Sequence, residues 1–260
     1  MYKQTINKEI IGSTFKIVPD DSIDGIYINN IKLDPMKVNH FDKRVDIKEN
    51  QEMAFIIEHP ISVLTIFGIH QARIVGTRET WDFYRACDRE AYAMDLPPSS
   101  VVGPADGTIS RDLIEQMKEV KIVETRNELK LLSVKEPVEY EVTKINKIRY
   151  QPVEDGQHEL HVTLKFLNLG PIHAIIHPTW GLLNEERDGA IRYDVMNATT
   201  PALLATENET LFHALGDLVA DIAGTGGIKV GKIDAVLGPR YHEATIGFVK
   251  YVINNKLIDE

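Results

Sequence analysis

Glu209-Thr-Leu-Phe-His213-Ala-Leu-Gly-Asp217 is the stretch around which the chain is organised. It reads as the first turns of a helix. Glu209, His213 and Asp217 stand at i, i+4 and i+8, so their side chains line up along one face. A carboxylate and an imidazole one turn apart can grip one metal ion, as two histidines do in the zinc-protease helix. Asp217, one turn further on, is placed to act beside it. Spacing alone also fits an ordinary solvated helix face. A second stretch, Phe55-Ile-Ile-Glu58-His59-Pro60, adds a carboxylate and an imidazole where an apolar strand runs into a helix.

The 260 residues suffice for one large domain or two of ordinary size. A hydrophobic share of 43% and a charged share of 26% are those of a soluble globular protein. No apolar run approaches the roughly 20 residues that span a bilayer, and the first residues lack the apolar core of a signal peptide. The single cysteine, Cys87, excludes an internal disulfide and fits a reducing compartment, so a cytoplasmic location is expected. A net charge of -10 argues against sequence-independent binding to nucleic acid. Nine histidines against one cysteine point to nitrogen and oxygen ligands for any metal. No motif specifies an oligomeric state.

Along the chain, residues 1–57 read as short strands separated by turns such as Pro19-Asp-Asp-Ser. Pro60 to Ile69 is apolar nearly all round, which predicts a buried helix with Pro60 at its first position. Arg73-Ile-Val is a short strand, residues 78–95 resist assignment, and Ser110 to Val120 is a helix with Ser110 as its cap. A boundary is expected in the polar stretch near 122–133. Strands are then expected around Val138, Lys147, Leu160 and Ala174, with Glu154-Asp-Gly-Gln as a hairpin turn. A loop over Pro178–Gly189 follows. After the 209 helix, closed by Gly224-Thr-Gly-Gly, come strands around Ile228 and Ile233, and a helix from about His242 to Asn254. Strands, helix, short strand, helix thus occur twice. The expected fold class is α+β, with two similar layered domains, 1–124 and 125–260, packed face to face around a cleft that holds the site.

In these residues the chain resembles the UDP-3-O-acyl-N-acetylglucosamine deacetylase (LpxC) family of lipid A synthesis, as a divergent, shortened relative. Ile57-Glu58-His59 and the apolar helix after it resemble the family's Val-Glu-His motif. Ala214-Leu-Gly-Asp217-Leu is similar to its Ala-Ile-Gly-Asp-Leu. Gly231-Lys-Ile followed by His242 is similar to its final strand and histidine, and Asp194-Val-Met-Asn-Ala-Thr-Thr200 weakly resembles the segment with the catalytic threonine. The resemblance implies a Zn(2+) site with His59, Glu209 and His213 as ligands. The family's His-x-x-x-Asp pair would then be exchanged to Glu209 and His213. It implies Glu58 as general base, His242 as the catalytic histidine with Asp217 as its partner, and Thr200 beside the oxyanion. Thr210 replaces the family's lysine, Pro201 its phenylalanine, and only eight residues separate Thr200 from Glu209, too few for the family's acyl-chain insert.

The expected function is a zinc-dependent amidohydrolase, deacetylase-like, acting on a small substrate such as an N-acetylated sugar or sugar nucleotide without a long acyl chain. The alternative is a non-catalytic relative that binds a ligand or protein partner in the same cleft. Simpler roles also stand: Asp217 as a helix-surface acid, His242 as a helix-start residue. His173 and His177 face the same way along a strand but lie about 13 Å apart, too far for one ion. The loop Gly224-Thr-Gly-Gly follows a helix, the wrong order for a phosphate cradle.

Overall fold

Short runs of alternating apolar and polar residues pair into five sheets in the computed structural model, which describes residues 1–12, 15–40, 45–50, 52–76, 111–153, 156–184, 191–198 and 207–259. The strands of the first half are β1 (Tyr2–Ile6), β2 (Ile10–Ile11), β3 (Phe15–Val18), β4 (Ile26–Ile28), β5 (Ile31–Lys32), β6 (Val38–His40), β7 (Val45–Glu49), β8 (Glu52–Ala54) and β9 (Ala72–Gly76). Helix α1 (Glu58–Ile66) lies between β8 and β9, and α2 (Arg111–Glu119) follows. The second half holds β10 (Ile122–Glu128), β11 (Ser133–Val134), β12 (Val138–Thr143), β13 (Asn146–Gln151), β14 (Leu160–Phe166), β15 (Leu169–His177) and β16 (Gly181–Asn184). Then come α3 (Arg192–Ala198), α4 (Glu207–Val219) running on as a π-helix over Ala220–Thr225, β17 (Gly231–Leu237), α5 (Tyr241–Asn254) and β18 (Ile258–Asp259).

The two larger sheets share one arrangement. In the order β2-β3-β9-β4-β5, strand β9 runs antiparallel to β3 and parallel to β4. In the order β12-β13-β17-β14-β15-β16, strand β17 runs antiparallel to β13 and parallel to β14. Each sheet thus receives its last strand between two earlier ones, after a helix has crossed over. This is α+β architecture with the doubled element order. All strands of each larger sheet come from one side of residue 124. The buried apolar side chains nevertheless form one continuous cluster drawn from both halves. Strict alternation along β17, with Gly231, Ile233, Ala235 and Leu237 buried, turns one face of its sheet to that core.

Several local expectations change. Strands β13 and β14 are not a hairpin, because β17 is inserted between them. The polar stretch after 121 is strand β10, which pairs with β1 at the other end of the described chain. The Pro178–Gly189 loop contains β16, and Ile228 makes only a single bridge, to Leu132. Helix α1 starts at Glu58 rather than at Pro60, and the chain bends before it, at Ile56, which has φ 53°. Residues 78–95 and the Ser110 cap lie outside the described residues.

Every residue of α1 is buried. The π-helix crosses it so closely that a Cβ on Gly224 would sit 2.4 Å from Ile61 Cγ2 and 2.6 Å from Thr65 Oγ1. The glycines after α4 therefore serve helix packing. On its other side α1 meets the β15–β16 turn, where a Cβ on Gly181, itself at φ +74°, would lie 2.2 Å from the Ile66 carbonyl oxygen. These two contacts brace α1, which carries Glu58 and His59, from both sides.

Candidate metal centre

Glu58 and His59 open α1, and both are buried. A positive φ at a β-branched residue is costly and concentrates near functional sites. At Ile56 it turns the chain out of β8 so that the helix starts next to β7. Val45 then takes both ends of the junction: its carbonyl accepts from Ile57 N at 2.9 Å and its N–H donates to Glu58 Oε2 at 3.0 Å. Across from this junction, α4 presents His213 and Asp217 one turn apart.

His59, His213 and Asp217 each offer a ligand atom, and these atoms lie within 4.8 Å of one another. The two imidazole rings meet edge to face, with centroids 5.4 Å apart. His213 Nε2 is 3.2 Å from Asp217 Oδ2, and His59 Nε2 is 3.8 Å from Asp217 Oδ1. His213 Nδ1 lies 3.1 Å from the Ala198 carbonyl, which can only accept, so Nδ1 carries a proton. His213 Nε2 therefore faces a carboxylate oxygen either with a second proton or with a cation to share. In the protein alone the second proton is favoured: the Asp217 charge holds the His213 imidazolium up to about 9 against the opposing effect of burial. Burial would raise Asp217, but His213 above all, with His59 and His242, outweighs it and keeps the carboxylate well below its usual range.

The donor set fits a metal on two counts. Two imidazoles and a carboxylate are ligands that zinc accepts with a fourth position left open. Asp217 Oδ1 is also a buried oxygen of an ionised carboxylate without a hydrogen-bond partner among the described residues. Such an atom is costly to bury unless something positive meets it. The Ala198 carbonyl on His213 Nδ1 is the kind of outer contact that fixes the ring of a metal-binding histidine.

A second layer surrounds this group. His242, at the start of α5, is 1% exposed and its Nδ1 sits 2.7 Å from Asp221 Oδ2. Thr245 donates to the same oxygen at 2.5 Å. The other nitrogen of His242, Nε2, points back at Asp217 Oδ2 from 3.8 Å. Burial would push His242 down, but Asp221, with Asp217 and Glu58, holds the imidazolium up to about 10. Tyr241 donates its phenol proton to Asp217 Oδ2. Burial, opposed by His242 and reinforced by Asp217, raises the Glu58 carboxyl to about 8. Both acidic and basic groups are thus gathered in one buried place, with their proton affinities moved far from the ordinary values.

Five of the expected site residues, Glu58, His59, His213, Asp217 and His242, come together here. Glu209 does not join the close set: the carboxylate in it is Asp217. The reason is helix geometry. Eight residues along α4, Glu209 is about 12 Å from Asp217 along the axis and about 80° around it. A ladder of i+4 residues cannot all reach one ion, and either adjacent pair satisfies the spacing. His213-x-x-x-Asp217 is the pair that meets His59. The partner of His242 likewise moves one turn on, from the expected Asp217 to Asp221, which is fully buried. Asp221 continues the same four-residue ladder, so the signal was in the sequence. Tyr241 had no such signal. Thr200 lies outside the described residues. His173 bonds Thr163, and His177 accepts from the Thr179 and Trp180 N–H groups and stacks on Trp180; neither belongs to the close set. No protein-family model matches the chain, and a search of the curated proteins finds no match.

Proposed function

We propose that the chain is a zinc-dependent amidohydrolase, similar in type to the LpxC deacetylases, that acts on an N-acylated sugar or comparable small molecule without a long acyl chain. The observation that carries this reading is the Asp217 carboxylate, buried between two imidazoles with one oxygen lacking a donor among the described residues. The one-turn shift along α4 changes the register of the resemblance: the Ala214-Leu-Gly-Asp217 match is given up, and Leu218-Val-Ala-Asp221 stands in its place. His213 and Asp217 now supply the family's His-x-x-x-Asp directly, and Asp221, four residues on, stands where the partner of the catalytic histidine belongs. Ala214 then occupies the position of the family's lysine, so the nucleotide contact it provides is still missing.

His59, His213 and Asp217 would hold a zinc ion, which when bound would supply Lewis acidity to activate water and polarise a carbonyl. The protein's own part is proton handling and charge. Glu58, anchored by the Val45 N–H and raised to about 8, can accept and return a proton near neutral pH. His242 is kept cationic by Asp221 and turns its Nε2 toward the centre. That nitrogen can stabilise negative charge growing on a carbonyl oxygen or protonate a departing amine. Tyr241 fixes the orientation of the Asp217 carboxylate.

The test is hydrolysis of a panel of small N-acetylated sugars and amides by the zinc-loaded protein and by Glu58→Gln. Glu58→Gln preserves shape but cannot take a proton. A loss of roughly 10²–10⁴-fold, with metal content and fold unchanged, is expected. Activity equal to wild type would remove Glu58 from the reaction.

A further inference from the structure

A second buried site lies at the far end of the same two helices. Beyond the last turn of α1 and the π-helix is a cavity of about 470 Å³, lined in part by Thr65, Ile69, Thr225 and Lys229. None of the residues of the metal centre lines it. Lys130 stands exposed on its wall, so the cavity reaches solvent.

Its chemistry is one-sided. Lys229 is 9% exposed and makes no side-chain hydrogen bond or ion pair among the described residues. A buried ammonium without a counter-charge is expensive, and proteins rarely keep one without a partner. Thr225, four residues earlier, also lines the cavity, but its hydroxyl is closed off from the open space and has no hydrogen-bond partner among the described residues. Of the two, only Lys229 brings a polar side-chain end to the cavity wall. The lining contains three lysines and no Asp or Glu, in a chain whose net charge is -10. Of the others, Lys3 is already paired with Asp24 at 2.5 Å. His70 accepts a hydrogen bond from the Gln4 N–H at 3.3 Å, and burial together with the Lys229 charge keeps it neutral. The remaining wall is largely hydrocarbon, including Ile26, Leu132 and Ile253.

We propose that this cavity binds a small amphipathic monocarboxylate, with the Lys229 ammonium meeting the carboxylate and the apolar wall taking the carbon chain. One unpaired buried cation calls for one negative charge. An apolar wall favours an organic anion over a hydrated inorganic one. The site does not depend on the metal centre being catalytic.

The experiment titrates octanoate into the full-length protein and repeats the titration with 1-octanol, which has the same chain but no charge. Saturable one-to-one binding of octanoate is expected, with 1-octanol weaker by about tenfold or more. Lys229→Met should bring octanoate down to the level of the alcohol. Equal binding of octanoate and 1-octanol by the wild type would overturn the anion site, and so would the absence of saturable octanoate binding up to about 10 mM. The two wild-type titrations decide the matter even if Lys229→Met does not fold.

Discussion

Asp217 shows what a single residue is asked to do here. It is 1% exposed, and His59, His213, His242 and Tyr241 all converge on its two oxygens. A lone carboxylate in that position would be neutralised by burial; three imidazoles keep it ionised. Lys229 is the opposite case, a buried charge with nothing to meet it. Burial pushes its amine from 10.5 down to about 8. Between these values the unfolded chain holds the proton and the folded chain does not, so folding stability contributed by this residue rises with pH. Below about 8 the whole penalty applies, and one pKa unit is about 1.4 kcal/mol, which makes it about 3 kcal/mol. Without ligand, Lys229→Met should therefore be more stable than wild type at pH 7 by about 2–3 kcal/mol. The difference should shrink as the pH approaches 10.5. Urea denaturation of both proteins at pH 7 and pH 10 measures it, and a gap that does not change with pH would contradict the assignment.

The elements hold these residues by close approach, and glycine makes the approach possible. Gly181 at φ +74° lets the β15–β16 turn press against the last carbonyl of α1, whereas Gly156, at φ +93°, has nothing within 4 Å of an added Cβ. Gly156→Ala should cost only the backbone penalty of about 1–2 kcal/mol. Gly181→Ala adds a backbone collision to that penalty and should cost at least about 3 kcal/mol. Chemical denaturation of the two variants separates them; equal losses would mean that the turn does not brace α1. At this scale the sequence is legible where its signals are local. The all-round apolar run of α1, the periodicity of α2 and the alternation of β14 each state an element. The insertion of β17 between β13 and β14 is not stated anywhere, because alternation tells a strand which face to bury and not which neighbour to choose. The turn signal at Glu154 pointed to the nearest strand, and a parallel partner about 70 residues on took its place. The site behaved in the same way. Spacing put Glu209, His213 and Asp217 on one ladder, and only α1, brought from the other half of the chain, selects which pair of rungs is used.

For the whole molecule, two sheets of like arrangement come from the two halves, and the candidate centre lies where the buried helix of one meets the helices of the other. Glu58 and His59 come from the first half, and His213, Asp217, Asp221 and His242 from the second. Such a centre exists only in the assembled fold. The connection before α4 bears on what can reach it. Only six residues separate Thr200 from the helix start at Glu207. A crossover insert that would line a passage for a fatty chain needs about a dozen residues or more. A long-chain acylated sugar nucleotide should accordingly give no turnover under conditions in which a small N-acetyl compound is hydrolysed. Efficient turnover of the long-chain compound would contradict the size limit.

The metal centre itself is tested most directly by metal analysis of the purified protein and of three variants, His59→Ala, Asp217→Asn and Glu209→Gln. A catalytic zinc normally has three protein ligands. The wild type should carry about one zinc per chain, His59→Ala and Asp217→Asn should lose it, and Glu209→Gln should keep it. Loss of zinc from Glu209→Gln with retention in Asp217→Asn would restore the earlier rung of the ladder as the ligand pair. A wild-type protein that takes up no metal at all would contradict the centre and leave a binding cleft in its place.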